Sequence, residues 1–267
     1  MHIVFSLLLS LTTGSHFLAE NNLMISGDST VRKDSALYSS MNNRLPLNRF
    51  NFDDSLQNLY SQIGLADYDL SFEIFRYGMI GYYALQQEGK LGDKNLLTII
   101  DFTKSSSQKR FYTIDLNENK VKYYTYTSHG KNTGEVMASK FSNKVNSNQS
   151  SLGFYVTGET YIGSKGFSLK LDGKEGVFND KMRERGVVIH EADYVSETWI
   201  KKYGRLGRSF GCPALPKELS KEIINVIKNK TPVFAYFNDE TYLSDSSYLN
   251  LESLLQKWEE QYSVIIP

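Results

Sequence analysis

Between residues 96 and 127 the chain alternates short apolar runs with turn residues, and this pattern restricts the fold more than any other. Residues 96–102 (LLTIIDF) form a continuous apolar run, and Ser105, Ser106 and Ser107 mark a turn. Residues 110–116 (RFYTIDL) alternate, 117–120 (NENK) form a hairpin loop, and 121–127 (VKYYTYT) follow. Short apolar or alternating runs bounded by turn residues specify strands, and three in succession specify a meander. Further strands are expected at residues 152–157 and 187–190, over the glycine-punctuated stretch 161–171, and at 232–237 (PVFAYF). The 18 tyrosines and 15 phenylalanines suit such strands better than a helical bundle.

Helices are expected on either side of this block. Leu56, Leu59, Tyr60 and Ile63 recur at helical spacing before Gly64. Ser71 is placed to cap a second helix carrying Ile74, Phe75, Met79, Tyr82, Tyr83 and Leu85 up to Gly89. Residues 219–227 read as a short amphipathic helix. A final helix at about 247–262 carries Leu249, Leu254, Leu255 and Trp258, with covering the sheet as its expected role. The fold class is mainly β within an α+β arrangement.

The first residues read as a targeting segment. Residues 3–11 are apolar apart from Ser6 and Ser10, and the small residues Thr12, Thr13, Gly14 and Ser15 follow. That length suits a secretory signal core and is too short to span a bilayer, so an exported, periplasmic or wall-associated protein is expected. The expected organisation is a signal peptide at 1–19, a polar linker at 20–54, a helical accessory segment at 55–92, a catalytic domain at 93–240 and a helical tail at 241–267. Lysine plus arginine equals aspartate plus glutamate at 30 each, which argues against a nucleic-acid partner. No phosphate-loop or dinucleotide motif is present, and His2, His16, His129 and His190 are too scattered to suggest a metal site; no cofactor is expected.

Cys212 is the only cysteine, so it has no intramolecular disulfide partner. It lies in a turn framed by Gly204, Gly207 and Gly211 and stiffened by Pro213 and Pro216. Arg205 and Arg208 are expected to raise the local positive potential and favour the thiolate. His190 ends an apolar strand upstream, and a strand-borne histidine with a glycine-framed cysteine is a nucleophile-and-base pattern. The blander readings are a small buried cysteine and a satisfied core histidine, and the pairing outweighs them. Ser209 is placed to bond the thiol, to bond the His190 ring, or only to cap the loop. His129, before Gly130, is either a substrate contact or a turn hydrogen-bonder. Tyr155 and Tyr194 are expected to pack. A carbonyl within residues 208–211 is expected to hold the far nitrogen of His190.

His190 followed by Ser209-Phe210-Gly211-Cys212 resembles the signature of the L,D-transpeptidase (YkuD-type) catalytic domain: a histidine, a gap, then Ser/Thr-X-Gly-Cys. The stretches LLTIIDFTKSSSQKRFYTIDL, SHGKNTG, SSLGFY, VVIHEADYVS and GRSFGCPALP resemble the murein branch of that family, over about residues 56–237. The resemblance implies a β-sandwich or mixed-sheet domain with a small helical N-terminal segment and a C-terminal helix. It also implies peptidoglycan stem peptides as partners. In that reading Cys212 is the nucleophile, His190 the base, and Gly211 with Ser209 the oxyanion loop, while Arg208 and His129 contact substrate. Phe210 stands where a second histidine is frequent, and Ala214 where an arginine is frequent. The expected activity is a 3-3 cross-linking transpeptidase. The alternatives are an L,D-carboxypeptidase, another cysteine peptidase, or a non-catalytic wall-binding module.

Overall fold

The computed structural model describes residues 49–263; the expected signal segment 1–19 and linker residues 20–48 lie outside the described residues. The meander forms as its alternation specifies, with β1 (Leu96–Asp101), β2 (Phe111–Asp115) and β3 (Lys120–Thr125) paired antiparallel in sequence. Residues 152–171, expected as separate strands, form one long hairpin instead. Its arms are β4 (Gly153–Gly163) and β5 (Gly166–Gly173), with a bulge between Thr157 and Thr160 absorbing the irregular period. A four-residue helix, α3, follows at Gly176–Asn179, and β6 spans Val188–Glu191, β7 Ala214–Leu215 and β8 Pro232–Tyr236. The strand order is β3-β2-β1-β8-β4-β5-β6-β7. Pairs β1–β8 and β6–β7 are parallel, so the sheet is mixed. Every residue of β1, β2 and β8 is buried, which explains why β1 and β8 read as apolar runs rather than alternating ones.

The sheet comes close to joining its own ends. Beyond Thr125 the chain leaves β2, and Thr127 Oγ1 and Ser128 N–H both donate to the Ala214 carbonyl of β7, each at 3.0 Å. Gly130 then makes a parallel bridge to Ser209. This is why β3 stops short of residue 127, and it gives eight strands in a near-closed, barrel-like sheet flanked by helices.

Two apolar layers hold the sheet. On one face α5 (Lys217–Ile227) lays Ile223, Ile224 and Ile227 onto Leu169, Leu171, Ile189 and Val233. On the other face α2 (Phe72–Gln87) packs against β1 and β4 through glycines. A Cβ on Gly81 would lie 2.0 Å from the Phe154 ring, so the approach exists only without one. The Ser71 side chain caps α2 by accepting from Ile74 N–H at 3.3 Å.

Helix α1 spans Arg49–Ile63 and begins seven residues before the apolar repeat that suggested it. Phe52 and Leu56, one turn apart, are both buried, and the Asp53–Arg76 ion pair at 2.6 Å ties α1 to α2. Burying Phe52 contributes roughly 2 kcal/mol, enough to draw this polar stretch into the helix. Helix α4 (Glu197–Tyr203), unexpected from periodicity, is set by its ends: Ser196 caps it and Gly204 closes it with φ 73°. After α6 (Glu240–Asp245), α7 (Leu251–Ser263) seats Trp258 on Phe52 and Tyr83, with ring centroids 6.2 and 5.2 Å apart. It therefore covers the N-terminal helices and not the sheet as expected. Among the described residues no helix is long and apolar enough to cross a membrane.

Candidate active site

The β6–β7 register sets the two expected catalytic residues on neighbouring parallel segments. His190 pairs with Ala214 and Glu191 with Leu215, so the same offset carries Cys212 to the level of Val188. The contact is made: Val188 N–H points at Cys212 Sγ at 3.5 Å, and the Gly186 carbonyl lies 3.9 Å from the sulfur. Val188 and His190, two apart on one strand, share a face.

His190 is 3 % exposed and its Nδ1 donates to the Glu191 carbonyl at 2.7 Å. A carbonyl only accepts, so the proton sits on Nδ1 and Nε2 carries the lone pair. Nε2 makes no hydrogen bond among the described residues. The fixing carbonyl thus comes from the neighbouring residue and not from residues 208–211. Burial holds the imidazole pKa below its ordinary value; the Glu191 carbonyl opposes this and Lys165 adds to it. Cys212 is half-buried, and burial pushes its thiol up, opposed by Val188 N–H, Arg185 and Lys165. Both shifts favour the neutral forms, thiol and imidazole, over a thiolate–imidazolium pair.

Ser209 caps the loop. Its hydroxyl donates to the Cys212 carbonyl at 2.6 Å and accepts from Gly211 N–H at 3.0 Å. Gly211 N–H is therefore occupied, whereas Cys212 N–H and Phe210 N–H have no acceptor among the described residues. Gly211 has φ +126°, and a Cβ there would meet the Gln149 carbonyl at 2.7 Å, so the turn into Cys212 requires glycine.

The expected substrate contacts lie elsewhere. His129 is 0 % exposed, with Nδ1 accepting from Arg110 Nη2 at 2.8 Å and Nε2–H donating to the Gly134 carbonyl at 3.2 Å. Both ring nitrogens are engaged in the interior, and burial first, then the Arg110 charge, lowers its pKa to about 3. Arg208 pairs with Glu135 at 2.7 Å and donates to the Lys131 and Gly134 carbonyls, and Arg205 pairs with the same carboxylate at 3.3 Å. These arginines fix the 131–135 loop; the cation that approaches the turn before Cys212 is Arg185, whose Nη2 lies 3.3 Å from where a Cβ on Gly211 would sit. Phe210 is 65 % exposed with Lys131 Nζ 4.5 Å over its ring, while Ala214 is buried in β7. Tyr155 packs in the core and half-buried Tyr194 packs against Val195, Leu206 and Ala214, both as expected.

Sequence reasoning missed Arg185, Lys165 and the fully buried Arg110, whose guanidinium donates to the Thr127 and Lys104 carbonyls. Only Lys165 had a local signal, its place between Gly163 and Gly166 in a hairpin turn. Among the described residues no three His, Cys, Asp or Glu side chains gather to hold a metal ion.

A near-closed mixed sheet that carries a histidine on β6 and a cysteine on the segment leading into β7, its parallel neighbour, has the layout of a cysteine acyl-transfer or hydrolase domain. The family model for the L,D-transpeptidase catalytic domain matches residues 66–236, more than half the chain, and the chain belongs to that family. Solved structures similar to it include an L,D-transpeptidase from Mycobacterium smegmatis, at 14 % identity over 54 % of this chain and 59 % of that one, TM-score 0.34. The helical cell shape determining protein Pgp2 from Campylobacter jejuni is similar at 15 % identity over 60 % and 57 %, TM-score 0.34. An L,D-transpeptidase from Mycobacterium tuberculosis is similar at 15 % identity over 54 % and 58 %, TM-score 0.31. The chain thus spans less than two thirds of the length of each. No curated protein matches it.

Proposed function

We propose that the protein is an exported peptidoglycan L,D-transpeptidase that forms 3-3 cross-links through a Cys212 thioester. The observation that carries this reading is the parallel β6–β7 register, which delivers His190 and Cys212 to one seam with the His190 lone pair on Nε2.

In this mechanism the Cys212 S–H bond breaks as Nε2 takes the proton, and the sulfur attacks the carbonyl between diaminopimelate and D-alanine of a tetrapeptide stem. Nδ1–H, held by Glu191, stabilises the imidazolium that forms. The carbonyl oxygen becomes an oxyanion beside the unengaged Cys212 N–H, with Phe210 N–H the other unengaged donor in the loop. The C–N bond then breaks, the imidazolium protonates the leaving amine, and D-alanine departs. The side-chain amine of a second stem attacks the thioester, His190 takes its proton, and the thiol is regenerated. A neutral resting imidazole is the form this sequence needs at its first step.

The test is incubation of the protein with tetrapeptide muropeptides and mass analysis of the products. Cross-linked dimers that vanish in Cys212→Ala and His190→Ala are expected. Tripeptides alone would make it a carboxypeptidase, and no product would leave a wall-binding module.

A further inference from the structure

Arg185 stands beside the nucleophile turn without a carboxylate partner among the described residues. It lies half-buried on the turn before β6, and its acceptors are all neutral: the Ser142 carbonyl at 2.7 Å, the Gln149 carbonyl, Ser151 Oγ, and Ser147 Oγ at 3.3 Å. It makes no ion pair among the described residues, whereas Arg183, two residues earlier, is held by Glu159 and Asp172. Neutral acceptors satisfy its N–H groups but leave its charge uncompensated, available to an anion that forms nearby.

Such an anion has a place to form. Arg185 Nη2 lies 3.3 Å from where a Cβ on Gly211 would sit, one residue from Cys212. The turn that carries Arg185 also supplies the groups around the sulfur, the Gly186 carbonyl and Val188 N–H. The loop that Arg185 clamps, residues 142–151, touches the nucleophile turn a second time through Ser150 Oγ, which donates to the Gly211 carbonyl at 3.2 Å.

We propose that Arg185 is the positioning residue of the nucleophile: it pins the 142–151 loop against Gly211 and acts as counter-ion to the Cys212 thiolate. This rests on Cys212 being the nucleophile. When His190 takes the thiol proton, negative charge moves onto sulfur, and Arg185 is the cation that compensates it from inside the protein. Lys165 also acts on the sulfur, but from an exposed hairpin tip where water and salt screen it.

Because the protein has one cysteine, uptake of iodoacetamide by the intact chain, followed by mass against pH, reads Cys212 alone. Arg185→Gln is expected to move the alkylation profile up by about one pH unit, the usual size for loss of a close cation. The thiolate fraction at pH 7 then falls about tenfold, the more basic sulfur regains about threefold in nucleophilicity, and the observed rate drops roughly threefold. Arg185→Met is the second neutral variant, keeping the aliphatic stem if the glutamine variant folds poorly. Arg185→Lys retains the charge and loses the fork, and its profile is expected to stay near wild type. A wild-type profile in either neutral variant, or a lysine profile displaced as far as the neutral ones, overturns the proposal. Alkylation needs no turnover, so a negative muropeptide assay and a negative result here are distinguishable.

Discussion

The buried His129 gives the sharpest stability prediction. Its ring accepts from Arg110, itself fully buried with a pKa lowered by burial to about 9 and so still charged at neutral pH. A second positive charge there is opposed by burial and by that guanidinium, which lowers the histidine from 6.5 to about 3. In the unfolded chain the same histidine binds a proton below its ordinary pKa. Stability therefore falls as pH drops through 6.5 and goes on falling until about 3, because the unfolded state binds more protons in that window. Comparing the two titrations at pH 7.5 and 5.0 gives a loss of about 2 kcal/mol from His129 alone. In His129→Asn the amide oxygen takes over acceptance from Arg110, and the titrating group is gone. Urea unfolding of both proteins at both pH values checks this. The other buried groups that titrate, including His190, Asp101 and Glu175, cancel in the comparison. The wild type is expected to lose about 2 kcal/mol more than the variant between the two pH values. Equal losses in the two proteins would refute the assignment of a neutral, doubly hydrogen-bonded His129.

Two further predictions follow from close contacts. Gly81→Ala sets a methyl against the Phe154 ring and is expected to cost about 1–3 kcal/mol in chemical unfolding, with partial recovery in the Gly81→Ala/Phe154→Leu double variant. Ser209→Ala removes both the donor to the Cys212 carbonyl and the acceptor for Gly211 N–H; it is expected to cost about 1–3 kcal/mol and to slow muropeptide turnover, measured by the same unfolding and product assays.

The fold was legible where one residue's neighbours along the chain decide its environment. The meander, the α2 cap at Ser71 and the amphipathic α5 all follow from local period and capping chemistry. Cys212 and His190, the proposed nucleophile and base, stood out because glycine, proline and strand signals surround them. The partners of the thiol did not. Arg205 and Arg208 are close to Cys212 in sequence yet turn to Glu135, whereas Arg185 comes up to Gly211 through the β6–β7 pairing, which no local pattern encodes. Of the two readings kept for His129, the hydrogen-bonding one fits its contact with Gly134, while its second partner, Arg110, lies too far along the chain for local pattern to show. The start of α1 was hidden because Phe52 finds its pocket on Tyr83 and Trp258, the latter more than two hundred residues away.

The seam between β3 and β7 also bears on solubility. An open eight-stranded sheet would present two terminal strands with unpaired N–H and C=O groups, ready templates for another chain. Here the terminal strand β7 is only two residues long, its Ala214 carbonyl is taken by Thr127 and Ser128, and β3 carries Lys120 and Lys122. The segment holding the proposed nucleophile is thus also the clasp that denies those edges to a neighbour. Substitutions that loosen it endanger the protein through aggregation as well as through lost chemistry.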